Sequence, residues 1–566
     1  MNTGKWSRLG ASTIAGAGMM ALLSAPTAAS PTPSDVDLAL HRPYQVSTSV
    51  IDDVYHASET VNFPDDGSKL TDGVVGPASW SAHGPWVGYL RQDRHNVTVD
   101  LGKSQTLHKL DAWLLQDTAS GIYFPRHMKF SVSLDGKHWS CVGTAKPSIP
   151  ISQKGVFTQA YTVSHLNVIA RYVRYTFYDD VFVFLSEVEA FGLPGIQPGA
   201  VRPRPTPSRP DGDAGFPRAG SVATSGRRAE VLIPSGYYSS QPELGVWHLN
   251  ELLPYVAYLN TRQQIRGRMF DSFLFTPFDT GPSGGSYGTG TATQADWKYF
   301  ADQLFQSGLQ LDALDQAVAQ TDQALHQKNW KAKVVIGIPF PGLNSNWGDG
   351  LDFNPDHVGQ AQSLANREAA VRWYVSYVKR KFASAGFRHL ELTGFYWQNE
   401  SVYLQWTPND EKLIRDTGRF VHSLGHYTFD WIPYNEATGF RDWRWMGFDT
   451  ALMQPNYAFT TGATVQRLQS TAQLARHYGL GIEMEMHWDI TRTDSLGTWA
   501  RQNYQDYLSA AYTYHYQNSF LAWYQNTTTL LDCETSQTPA IRQVYDETYQ
   551  FIHGQYQPVN RPGGVS

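Results

Sequence analysis

Acidic and amide residues recur beside aromatic ones at four places in the C-terminal half of this 566-residue sequence: Trp397-Gln398-Asn399-Glu400, Pro433-Tyr434-Asn435-Glu436, Met453-Gln454-Pro455-Asn456-Tyr457 and Glu483-Met484-Glu485-Met486-His487-Trp488-Asp489. Such groups suit a sugar, whose hydroxyls need amides and carboxylates and whose flat faces stack on rings. Cleavage of a glycosidic bond requires one carboxyl to protonate the leaving oxygen and a second to attack the anomeric carbon or activate water. Glu400, Glu485, Glu436 and Glu483 are therefore the candidate catalytic residues. Asn399, Trp397, Tyr434, Asn435, Asn456, His487, Trp488 and Trp523 are the candidate substrate-binding residues. Around the last cluster a period of two places Glu483, Glu485 and His487 on one strand face and Ile482, Met484 and Met486 on the other. Carboxylates turned into a barrel are costly unless used or paired. A structural role, with a glutamate paired to Arg441 or Arg444 inside the lumen, stands beside the catalytic one, above all for Glu483. The sequence contains no His-Glu-x-x-His, and the glycine-rich Gly281-Pro282-Ser283-Gly284-Gly285 lacks the Lys-Ser/Thr of a phosphate-binding loop, so no organic cofactor is expected.

The elements that must position these groups are apolar runs alternating with amphipathic stretches, the pattern of parallel βα units. The runs are 255–258, 272–275, 334–338, 390–397, 427–432, 450–453, 481–486 and 519–524, with helices expected over 366–385 and 464–478. Eight strands close a (β/α)8 barrel, here over 229–556, whose catalytic groups stand at the C-terminal strand ends. By that count Glu400 follows strand four, Glu436 follows strand five and Glu485 ends strand seven. The short spacing between the first two runs implies a reduced or absent first helix.

Residues 37–193 consist of short alternating strands and turns, the signature of an antiparallel β-sandwich. Residues 194–228 are rich in Pro, Gly and Arg and suggest a semi-extended linker. Residues 1–29 have a basic start, an apolar stretch and a small-residue end at Thr27-Ala28-Ala29, the pattern of a secretory signal peptide, which makes a secreted protein the expectation. A formal net charge of -6, with no long basic run, gives no reason to expect nucleic acid, and nothing beyond the N-terminus suggests membrane insertion or a protein partner. Cys141 and Cys533 lie in different segments and are taken as packing residues.

Within the first segment, Leu70-Thr71-Asp72-Gly73, Val99-Asp100-Leu101-Gly102, Ser133-Leu134-Asp135-Gly136-Lys137-His138-Trp139, Ala170-Arg171-Tyr172-Val173-Arg174 and Ser186-Glu187-Val188-Glu189-Ala190-Phe191-Gly192 follow one another in order. The segment resembles the discoidin-like, coagulation-factor type C module, and, lacking the terminal cysteine pair of the clotting members, its bacterial carbohydrate-binding branch. That resemblance implies a jelly-roll sandwich, a structural calcium near Asp72 and Glu187, and glycan binding through loop rings, for which Trp86, Tyr89, Tyr123 and Phe124 are the candidates. The barrel segment is similar to an uncharacterised bacterial family of domain-of-unknown-function barrels, on Leu252-Leu253-Pro254-Tyr255-Val256-Ala257-Tyr258, Phe270-Asp271-Ser272-Phe273-Leu274 and Gly394-Phe395-Tyr396-Trp397. Asn-Glu after strand four and Glu on strand seven also resemble the large clan of retaining glycosidases. That likeness implies Glu400 as acid/base, Glu485 as nucleophile and Asn399 as a partner of the sugar 2-hydroxyl, with Glu436 the rival for either carboxyl role. The expectation is a secreted glycoside hydrolase acting on poly- or oligosaccharide; the alternative is a glycan-binding or adhesion protein whose barrel has lost its chemistry.

Overall fold

A computed structural model describes residues 34–206, 213–238, 241–277, 280–402 and 409–559. The signal-like residues 1–29 lie outside them. The N-terminal module is an antiparallel β-sandwich of nine strands from Val36 to Leu193. One 25-residue strand, Asp93–Asp117, serves both layers and pairs with four others, Tyr44–Val50, Val156–Val163, Val168–Phe177 and Phe182–Leu193. It changes register between Asp100 and Gln105. There the Asp100 carboxylate accepts the Gly102 N–H at 2.8 Å and a forked pair of bonds from Arg171 at 3.0 Å each. Gly102 takes the left-handed backbone, φ +81°, that the bend demands. Two of the recognised motifs thus hold the bend that lets one strand belong to both layers.

The C-terminal module is a closed barrel of eight parallel strands: Ala229–Ser235, Ser272–Pro277, Ala332–Ile338, Leu390–Trp397, Thr428–Trp431, Thr450–Met453, Gly481–Glu485 and Leu521–Tyr524. The first closes on the eighth, with Glu230 opposite Ala522. Seven of the eight expected runs are strands of the barrel. The run at 255–258 is not: Tyr255 and Val256 end the helix Leu249–Val256, and Ala257–Leu259 forms a small antiparallel hairpin with Ile265–Arg268. The true first strand is the wholly buried Ala229–Ser235. A short apolar run cannot distinguish a buried strand from the buried stripe of a helix. Because the displaced strand also precedes 272–277, the numbering of strands four to eight is unchanged.

The described residues of the expected linker bond to both modules. Val201 accepts the Ile169 N–H at 2.9 Å and the Thr206 N–H reaches the Trp139 carbonyl at 3.0 Å, while Asp213 pairs with Arg476 at 2.6 Å and Pro217 accepts the Phe520 N–H at 2.8 Å. Direct contacts also join the modules. Arg467 pairs with buried Asp52 at 2.8 Å, and Arg441 pairs with Asp93 at 3.1 Å while donating to the Asp179 and Gln92 carbonyls. Arg441 is therefore an interface residue, and Arg444 donates to the Gly479 carbonyl; no ion pair joins either to a luminal glutamate. No described helix is long and apolar enough to cross a membrane, and the two cysteines are unpaired.

Inside the barrel, Leu232, Leu274, Val335, Tyr396, Ile432, Leu452, Phe520 and Ala522 form an apolar filling. A fully buried cation, Arg227, bonds Glu230 at 2.9 Å, Asp430 at 2.8 and 3.1 Å and Thr428 at 3.2 Å. Ser272 and Thr450 donate to oxygens of Glu230 and Asp430 that Arg227 also bonds, at 2.6 Å each. Removing one member of a buried ionic group strands the others. Arg227→Ala should cost about 3–5 kcal/mol of unfolding free energy in urea titrations, and a loss below about 1 kcal/mol would show that the network does not anchor the strands.

Candidate active site

A cavity of about 330 Å³ opens at the C-terminal ends of the barrel strands. Its walls include Glu400, Glu483 and Glu485, the amides Gln398, Gln454 and Asn456, and the rings Tyr396, Phe459, Trp488 and Tyr524. The alternation of strand four brings Tyr396, Gln398 and Glu400 inward, and that of strand seven does the same for Glu483 and Glu485.

Glu485 is the best solvated by protein. One carboxylate oxygen accepts the Asn456 N–H at 2.7 Å and the hydroxyl of Tyr507. The Tyr507 oxygen in turn accepts the N–H groups of Tyr457 and Ala458 at 3.1 and 3.3 Å, which leaves its proton aimed at Glu485. Asn456 reaches this position with φ +52°, a conformation asparagine tolerates better than most residues. Glu483 lies deeper, with one oxygen buried and without a hydrogen bond. Glu400 stands at the rim, open to solvent. Among the described residues none of the three makes an ion pair. Burial pushes Glu485 up to about 8 and Glu483 well above the ordinary carboxylate range, with mutual repulsion adding to both; Glu400 is raised by the surrounding walls and drawn back by a hydrogen bond from Gln454. Three carboxyls in one low-dielectric space cannot all ionise, so protons are retained. The donors on Glu485 favour its ionised form over that of Glu483.

Trp488 supplies an exposed ring beside this cluster, 54% accessible, backed by Phe459 at 5.5 Å and His487 at 4.0 Å between ring centroids. Burial lowers the His487 pKa, so the imidazole is neutral at pH 7, and its Nδ1 accepts the Asp489 N–H at 3.1 Å.

Several expected residues lie elsewhere. Trp397 and Trp523 point out of the barrel into the layer beneath the helices, where Trp397 meets Phe429 and the Trp523 indole donates to Tyr504. Asn399 is buried, its side chain accepts the Ser401 N–H at 3.0 Å, and it is not among the residues lining the cavity. The Tyr434-Asn435-Glu436 loop turns away and meets the sandwich: Arg91 donates to the Tyr434 hydroxyl at 3.0 Å and to the Glu436 carbonyl at 2.6 Å, and Asn435 donates to Asp52 at 3.1 Å. The Glu436 carboxyl is buried there without a hydrogen bond, and burial holds its pKa well above the usual range. Sequence reasoning missed Tyr507, Tyr524 and Phe459 altogether.

In the sandwich, Trp86, Tyr89, Tyr123 and Phe124 are all buried core rings rather than exposed loop rings. Trp80, 38% accessible and hydrogen-bonded to Asp117 at 3.1 Å, is the exposed ring of that end. Glu187 is buried, accepts the Gly73 N–H at 3.2 Å with one oxygen, and leaves the other without a partner. Burial, with nearby Asp72 adding, lifts it to about 8. An orphaned carboxylate oxygen beside a second acid fits a hard cation, although no cluster of three or more acidic, His or Cys ligands occurs among the described residues, so backbone carbonyls would have to complete the shell.

Residues 231–550, more than half of the chain, match the family described as Domain of unknown function (DUF4855). The chain belongs to the DUF4855 family. Residues 46–182 match the F5/8 type C domain. No functionally curated protein matches this DUF4855 chain. Among solved structures it is similar to chitosan-binding module 1 from a chitosanase/glucanase of Paenibacillus sp. IK-5, at 20% identity over 28% of this chain and 99% of that one, TM-score 0.19. It is also similar to CBM32-3 from a family 31 glycoside hydrolase of Clostridium perfringens, at 16% identity over 28% of this chain and 94% of that one, TM-score 0.19.

The raised pKa of Glu485 has a consequence for stability. Unfolded, this carboxyl releases its proton near 4.5; folded, near 8. Between those values the native state binds more protons than the unfolded one, so this group's contribution to stability falls as pH rises. Glu485→Gln, which cannot ionise, should be more stable than the unaltered protein at pH 8, with the gap closing toward pH 5. Thermal unfolding at both pH values measures it, and a pH-independent difference would contradict the burial of an ionisable Glu485.

Proposed function

We propose that the barrel of this DUF4855 protein hydrolyses O-glycosidic bonds of extracellular poly- or oligosaccharide with retention of configuration, and that the sandwich holds the chain on its glycan. The carrying observation is a cavity that gathers three carboxyls without ion pairs beside an exposed tryptophan, at the strand ends where barrel enzymes work. Glu485, whose two donors on one oxygen favour its ionised form over that of Glu483, attacks the anomeric carbon; Glu400 gives its proton to the leaving oxygen. In the second half Glu400 takes a proton from water, whose oxygen displaces Glu485 and restores it. Glu483, protonated, donates from below. Trp488 forms the stacking surface, and Gln398, Gln454 and Asn456 are the amides available to sugar hydroxyls. The signal-like N-terminus supports export, and exposed Trp80 is the ring best placed on the sandwich to meet a sugar.

Screening the full chain on plant and microbial polysaccharides with reducing-end detection tests this reading. Glu400→Gln and Glu485→Gln should each lower turnover by about 10²-fold or more, whereas Glu436→Gln, at the module interface, should spare it. Activity should follow a bell-shaped pH profile, because Glu485 must be ionised while Glu400 keeps its proton. Full activity in Glu485→Gln, or no activity on any glycan, would overturn the proposal.

We also propose calcium at Asp72 and Glu187, the ion lowering the carboxyl pKa and taking up the orphaned oxygen. Calcium should raise the melting temperature of the full chain, and Glu187→Gln should abolish that response. An unchanged melting temperature with and without chelator would remove the site.

A further inference from the structure

A second cavity lies away from the strand ends that carry the glutamates. It measures about 670 Å³ and lies at the opposite, N-terminal end of the barrel, under the starts of strands one, two and eight. A barrel needs only packing at this end, yet the lining residues include Arg218, Arg228 and Arg268 in a chain of net charge -6. Arg218 and Arg228 are exposed, and no ion pair engages either among the described residues. The acid in the lining, Asp271, spends one oxygen on the N–H groups of Arg228 and Ala229 at 3.1 and 2.9 Å.

Arg268 is the fixed member. Its guanidinium lies 3.8 Å from the Trp330 ring centre, its Nε donates to Gln327 at 2.8 Å, and its Nη2 pairs with Asp322. The remaining nitrogen, Nη1, is buried and has no hydrogen-bond partner. A second lining residue, Gln517, has its side-chain oxygen buried and equally unpartnered. Buried polar atoms without partners are rare and costly. Here one is a cationic donor and the other an acceptor, so a ligand satisfying both carries an anionic oxygen and a hydroxyl. Trp523 and Phe551 give the same cavity an apolar wall.

We propose that this cavity binds a small hydroxylated anion, a carboxylate or phosphate on a polyol body, with Arg218, Arg228 and Arg268 holding the charge and Gln517 accepting from a hydroxyl. The assignment is independent of the reaction proposed for the opposite end. Calorimetric titration of the full chain with glucuronate, glucose 6-phosphate, inorganic phosphate and glucose tests it. One or both sugar anions should bind at least on the order of tenfold more tightly than glucose. Arg218→Gln with Arg228→Gln, both exposed and unpaired and so without a folding penalty, should weaken that binding by a similar factor, whereas Glu485→Gln should leave it unchanged. Glucose binding as tightly as the anions, no anion binding up to about 10 mM, or equal affinity in the doubly substituted chain would each overturn the site. Inorganic phosphate binding as tightly as glucose 6-phosphate would overturn the part given to Gln517. Glucuronate alone binding would assign the site to carboxylates, and glucose 6-phosphate alone to phosphates.

Discussion

Three glutamate carboxyls share one cavity without an ion pair between them and any described cation. Mutual repulsion and desolvation would make that cluster a liability in a purely structural barrel. The surrounding design concentrates the compensation on one of them: Tyr507 and the Asn456 N–H both serve Glu485, and the Tyr507 hydroxyl is itself fixed by two backbone donors. Below the cluster the other luminal acids, Glu230 and Asp430, are satisfied by Arg227 and by hydroxyls. The barrel therefore pairs its acids at one end and leaves them unpaired at the other, and the proposal of chemistry rests on that asymmetry.

The sandwich is held against the same barrel by buried charge. Asp52 meets Arg467 and Asn435, and Arg441 is enclosed by Asp93 and two carbonyls of the sandwich. Breaking such pairs strands a buried ion, so the contact is specific even where its net stabilisation is small. Arg467 also lies within electrostatic reach of Glu485 and favours its ionised form. The module that the proposed function assigns to glycan binding thus fixes the loop after strand five and the helix after strand six, next to the cavity.

How much of this was legible in the sequence follows from periodicity. Strand seven alternates glutamate with methionine, so the facing of Glu483 and Glu485 could be read directly. Strands four and eight end in Phe395-Tyr396-Trp397 and Ala522-Trp523-Tyr524, where both faces are apolar because parallel strands are buried on both sides. Nothing in such runs says which ring enters the barrel, and Trp397 and Trp523 were preferred where Tyr396 and Tyr524 line the cavity. Tyr507 comes from the helix Ser495–Thr513 and has no sequence spacing that ties it to Glu485. Glu436 has the same local pattern as Glu400, but its loop is turned by contact with Arg91, an interaction 345 residues apart in the chain. The rings of the sandwich flank turns and are nonetheless buried, since turn neighbours carry no information about which layer they face.

The most direct test of the account is identification of the group that attacks sugar. A panel of activated 2-deoxy-2-fluoro glycosides, which slow the release of a glycosyl-enzyme more than its formation, would be incubated with the full chain and followed by intact-mass and peptide mass spectrometry. The account predicts one added glycosyl group, on Glu485. A label on Glu400, Glu483 or Glu436 would contradict the assignment, and turnover of a glycan without any label would contradict a covalent intermediate.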